Sequence, residues 1–152
     1  MKNSMLLAVC ASVATFATVQ AGEVAPADVA FDDYGAVEMS LTGVAGDAEN
    51  GANVFKNRKL GNCLACHANS DMASQLFHGE VGPVLDGVSD RWSAAELRGI
   101  LSNSGNTFDG TIMPAFYVND GYVRPLEKFE GKSILTAQQV EDVLAYLQTL
   151  SE

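Results

Sequence analysis

Basic side chains are scarce: nine Lys and Arg stand against nineteen Asp and Glu, a formal charge of −10. A chain of that sign offers no footprint for nucleic acid or for an anionic membrane surface. Cysteine is scarce too, with three in 152 residues, which excludes a disulfide-stapled miniature fold. Histidine is limited to His67 and His78. Repeats, low-complexity tracts and strong strand signals are missing. What is present is apolar: 47% of the residues are hydrophobic and only 18% charged, which excludes a disordered acidic tail. The length fits one domain.

Residues 1–21 read as a cleaved export signal. Lys2 gives the positive start, Met5 to Val19 is an uncharged apolar run, and Val19-Gln20-Ala21 places small residues before a cut ahead of Gly22. The run is too short and too rich in Ala and Thr to span a bilayer, although a retained anchor is the competing reading. Cys10 falls within it and is lost on cleavage. The mature chain then carries 8 basic and 19 acidic side chains and two cysteines, Cys63 and Cys66. Export implies a periplasmic location without later membrane insertion. A pair of free thiols does not persist in such an oxidising compartment, so something must occupy them.

Residues 22–45 form an acidic, loop-like arm with Asp28, Asp32, Asp33, Gly35 and Gly43. Inside it Val37 to Thr42 alternates apolar and polar, as a short extended piece does. Such an arm either packs on a partner chain or stays a loosely ordered leader. Residues 46–152 form the domain proper. Asp47 caps a first helix whose apolar stripe is Ala48, Ala52, Val54 and Phe55, with Lys56, Arg58 and Lys59 at its C-terminal end. Ser93 and Glu96 form a capping box for a second helix with Leu97, Ile100 and Leu101 facing the core. Thr136 and Gln139 form another for a last helix, with Val140, Val143, Leu144 and Leu147 in one stripe. The expected fold class is all-α, a single domain whose long loops need something large to pack against.

Cys63-Leu64-Ala65-Cys66-His67 is the pattern of covalent haem c attachment. Thiols at i and i+3 lie on one side of a helical turn, so both reach the vinyl groups at one porphyrin edge and form thioethers. His67 then rises over the ring to ligate iron. One haem c is therefore expected. Zinc would need four ligands, and the mature chain offers only Cys63, Cys66, His67 and His78, of which the adjacent Cys66 and His67 would make an awkward chelate. A thioredoxin-like redox pair would need a βαβ setting, and a plain disulfide leaves the adjoining histidine without a role. A porphyrin also supplies the missing core volume.

The second axial ligand must come from far along the chain. Met72 is too close to His67, and Met39 precedes the first helix. Met113, in the loop Thr111-Ile112-Met113-Pro114, is assigned, against the competing reading of an ordinary surface or core methionine. His78 reads as an exposed histidine. A thioether ligand raises the reduction potential, and two strong axial ligands close the iron to small molecules, so the site moves electrons. In Gly82-Pro83 the carbonyl of Pro83 is free to accept from the His67 ring and fix its tautomer. Arg91 and Trp92 are candidate donors to the haem propionates, while Trp92 is equally placed to form a hydrophobic staple with Leu97. No catalytic residue is assigned.

These residues resemble class I cytochromes c. Asn57 to His67, Gly105 to Tyr117 and Leu135 to Val140 resemble more specifically the SoxX family, the small c-type cytochrome subunits of SoxAX complexes of thiosulfate oxidation. The resemblance covers most of 43–150 and leaves the arm uncovered. It implies a heterodimer with a SoxA-type cytochrome, acting as an L-cysteine S-thiosulfotransferase that couples thiosulfate to a cysteine of the SoxYZ carrier. The sulfur chemistry belongs to SoxA. The small subunit is not catalytic alone and passes electrons to an external accepting cytochrome. His67 and Met113 match the family's axial ligands, Cys63 and Cys66 its thioether sites. A free-standing electron shuttle to an oxidase or reductase is the alternative function. A gas-binding or peroxidatic haem protein is a third, and requires an open iron.

Overall fold

Four α-helices carry the described residues, 22–152 of the computed structural model: α1 (Ala48–Lys56), α2 (Val88–Arg91), α3 (Ala94–Asn103) and α4 (Ala137–Leu147). Long loops and short 3-10 turns join them, and no strand occurs among the described residues, so the fold is all-α. The export signal read over 1–21, with its Cys10, lies outside the described residues.

Local sequence starts each long helix. Asp47 Oδ1 accepts from the backbone N–H of Glu49 (2.9 Å) and Asn50 (3.1 Å) at the head of α1. Ser93 with Glu96, and Thr136 with Gln139, close reciprocal capping boxes on α3 and α4, each satisfying two donors that the helix leaves unpaired. The apolar stripes then face inward. Val54, Phe55, Leu97, Leu101, Val140, Val143, Leu144 and Leu147 all belong to one buried cluster. The last helix ends at Leu147, and a turn in which Leu150 N–H donates to Leu147 O (3.1 Å) carries the chain on. The single turn α2 carries no sequence signal strong enough to read in advance.

The sequence stripe on α1 omitted the residue that decides its packing. A Cβ on Gly51 would lie 1.9 Å from the carbonyl oxygen of Asp142, so only glycine lets α1 meet the backbone of α4. The crossing is held by Asp142, whose side chain accepts from Asp47 N (2.8 Å), Asn50 Nδ2 (2.6 Å) and Gln138 Nε2 (2.9 Å). Three neutral donors make up for the hydration this buried carboxylate has lost. One turn further on, Phe55 and Tyr146 meet edge to face, ring centroids 5.4 Å apart.

The arm over 22–45, expected to reach a partner or to remain a loosely ordered leader, is folded onto its own domain. Val37 and Leu41 are buried, Val37 N–H donates to Ala95 O (3.0 Å), and Tyr117 Oη donates to Val24 O (2.6 Å). The expected extended piece forms no strand, and Met39, on its inward register, is 73% exposed. What seats the arm is a buried pair between Arg98 and Glu141. Neither residue stands out in a sequence where helix surfaces are full of charges.

Candidate functional site

Cys63–Ala65 forms a 3-10 turn entered through Asn62 at φ +50°, a left-handed conformation that Asn tolerates well. The turn continues as Cys66 N–H and His67 N–H both donate to Cys63 O, at 3.1 and 3.0 Å. The two cysteines are not joined in a disulfide. Burial pushes the Cys63 thiol up to about 12, so its sulfur sits neutral in apolar surroundings. Among the described residues no group of three or more His, Cys, Asp or Glu side chains is placed to hold a metal ion, so the pair and His67 do not form part of a zinc tetrahedron.

His67 Nδ1 lies 2.7 Å from Pro83 O, with the ring nitrogen as the only group of the two able to donate. That bond leaves Nε2 as the free, lone-pair-bearing nitrogen and fixes the ring plane. Gly82 is a residue that sequence reasoning missed. A Cβ there would lie 2.4 Å from His67 Cε1, so any side chain at this position displaces the imidazole. Gly82 N–H also donates to Cys66 O (2.8 Å), tying the two sides of the loop together.

Cys63, Cys66, His67 and Met113 all line one cleft of about 820 Å³, near the upper end of the usual range for ligand pockets (~300–1,000 Å³). Its walls are largely apolar, among them Val88, Leu97, Leu101, Phe116, Val143 and Leu147. Helices α2, α3 and α4 thus turn their buried faces toward the cleft as well as toward each other. Met113 is set by α3: Ser104 Oγ donates to Met113 O (2.8 Å), and Phe116 N–H donates to Leu101 O (3.1 Å). No spacing rule pointed to Ser104.

The other candidates sort by place. Met72 is buried in the core and Met39 is exposed, and neither lines the cleft. His78 is half-buried, which corrects the expectation of an exposed histidine. Its Nδ1 accepts from Asn69 N (3.1 Å) and its Nε2 donates to Met72 O (3.0 Å), so both ring nitrogens brace the loop. Arg91 and Trp92 both line the cleft. Arg91 donates to Asp86 O (2.6 Å) and Val84 O (2.9 Å), bracing the loop beside His67. Trp92 stands edge-on to Phe108, centroids 5.8 Å apart.

Behind the attachment turn, Asn69 Nδ2 donates to Tyr146 Oη (2.8 Å), which donates to Asp71 Oδ2 (2.8 Å). Burial and the neighbouring Asp71 carboxylate hold the Tyr146 phenol well above its ordinary range. The segment after His67 is thereby fastened to α4.

The chain belongs to the cytochrome c family, whose model, described as cytochrome c, matches residues 48–151. Within that family it is SoxX-like: the crystal structure of SoxXA from P. pantotrophus contains a chain 48% identical to it, with a TM-score of 0.80, the match covering 86% of this chain and 100% of that one. Cytochrome c-550 of Bacillus subtilis (strain 168) is 32% identical over 59 residues, 39% of this chain and 44% of that protein, so this match spans under half of the relative. The c-type cytochrome SorU of Sinorhizobium meliloti is 25% identical, with a TM-score of 0.45, over 68% of this chain and 90% of that one. Membership of the family implies covalently bound haem c, and the cleft fits it in donor set, size and apolarity. The protein is an electron-transfer cytochrome. Among the described residues no helix is long and apolar enough to cross a membrane.

Proposed function

We propose that this protein is the small, monohaem electron-transfer subunit of a periplasmic SoxAX-type complex that oxidises thiosulfate onto a cysteine of a SoxYZ carrier. The observation that carries the reading is 48% identity over the whole length of a chain of SoxXA. Bound haem c supplies a one-electron iron couple. Every other part of the function is the work of the chain's own residues. Cys63 and Cys66 would hold the porphyrin through thioethers. His67 would present Nε2 to the iron, because Pro83 O holds Nδ1–H and Gly82 leaves the ring room. Met113, in a loop fixed by Ser104, would offer its thioether sulfur to the iron, a donor that would favour the ferrous form and so raise the potential. Arg91 and Trp92 offer donors to the propionates from the cleft lining.

The net charge of −10 disfavours a free thiosulfate dianion at this subunit, in keeping with sulfur chemistry on a larger, SoxA-type partner. Isolation of the native protein under gentle conditions, followed by a haem-stained gel, tests the reading. A second, larger haem-bearing band that co-purifies supports it. A lone monomer turns the assignment to the free-standing shuttle. Ferrous spectra that change under carbon monoxide turn it to the gas-binding class.

A further inference from the structure

Half of the eight cationic side chains in 22–152 line the cleft: Arg58, Lys59, Arg91 and Lys128. No carboxylate lines it, in a chain with nineteen of them. Beside this rim runs a ridge. Leu76, Phe77, Val81 and Val84 are 105%, 60%, 66% and 52% exposed, four large apolar side chains within nine residues of one loop. Single exposed apolar residues are ordinary, whereas four on one short loop, with only Glu80 as a charge among them, mark an interaction surface. The loop does not simply trail in solvent. Gly79 N–H donates to Leu64 O and Gly82 N–H to Cys66 O, both at 2.8 Å, while His78 is clasped between Asn69 and Met72. Hydrogen bonds thus hold the apolar side chains outward. Val81 belongs both to the ridge and to the cleft lining, so the ridge runs into the cleft mouth.

We propose that the Leu76–Val84 ridge, together with the cationic rim, is the seat of the larger cytochrome subunit, which meets it with an apolar patch bordered by carboxylates. This rests on the heterodimer reading above and names its surface. A lasting subunit contact has an apolar centre, and charges at the border set orientation and rate of encounter. The cationic rim attracts a carboxylate-bordered face and so favours approach on the side where the cleft opens.

The test uses the exported holoprotein co-expressed with a SoxA-type subunit from the same organism. Leu76→Asp and Phe77→Asp change exposed side chains and leave haem content and helicity as in the native protein. Each is expected to weaken the pair about 30-fold or more, the effect of removing an interface hot spot. Tyr34→Asp and Val44→Asp, at exposed positions of the arm, are expected to leave it unchanged. Normal pairing of the ridge variants overturns the inference while leaving the heterodimer intact, as does loss of pairing in the arm variants alone. Failure of the native chain to pair at all removes both.

Discussion

Arg98 and Glu141 form a buried two-point ion pair, Nε to Oε1 at 2.8 Å and Nη2 to Oε2 at 3.2 Å, and each also holds the backbone of the N-terminal arm. Glu141 Oε1 accepts from Leu41 N (2.7 Å), and Arg98 Nη1 donates to Val37 O (2.8 Å). Removing one partner strands the other charge in the interior. Arg98→Met or Glu141→Leu is expected to lower stability by about 3–5 kcal/mol, and the double substitution by less than the sum. Denaturant titration of the holoprotein followed by circular dichroism measures both. Equal stability of a single variant and the native protein removes the clasp.

Gly51→Ala places a methyl where the Asp142 carbonyl already stands. The helices must separate, at a cost of about 1–3 kcal/mol or more. A melting temperature within one degree of the native value means the crossing is looser than described.

Met113→Ala removes the thioether from the cleft. The reduction potential is expected to fall by on the order of 0.1 V, within the ~0.8 V over which ligands tune haem. The ferrous protein should then bind carbon monoxide. Redox titration and a spectrum under the gas check this, and an unmoved potential with no gas binding assigns the ligand elsewhere.

Alkaline pH acts on three tyrosines. Tyr117 is pushed up to about 12, first by burial and then by Glu23; Tyr146 and Tyr122 are raised chiefly by burial. A raised folded value means the neutral phenol is the form that folding favours. The contribution is whole below the ordinary value of about 10 and is lost as pH climbs through the folded values. Stability should fall between about pH 10 and 12, and Tyr117→Phe should flatten the decline. Urea midpoints across that window measure it.

The three long helices and the attachment turn were legible in the sequence because they rest on local rules. Asp47, Ser93 and Thr136 cap within three residues of themselves, and Cys63 to His67 is a contiguous pattern. Pro83 could be named because Gly-Pro is a local signal. Gly82 stood in the same pair, but its part against the His67 ring depends on a contact that only folding creates. Ser104, Asp142 and the Arg98–Glu141 pair were hidden for the same reason. Each is a common polar residue whose meaning lies in a partner between nine and about a hundred positions away. His78 was misread because exposure was inferred from its place early in the loop after His67, whereas two backbone groups satisfy its nitrogens there.

The contact between Gly51 and Asp142 also fixes an order of events. An exported chain emerges from its N-terminal end, so α1 comes through about ninety residues ahead of the backbone it must touch. Until α4 arrives, the turn bearing the two thiols has no roof. The chemistry that joins a porphyrin to them therefore finds an open substrate early and a closed one late.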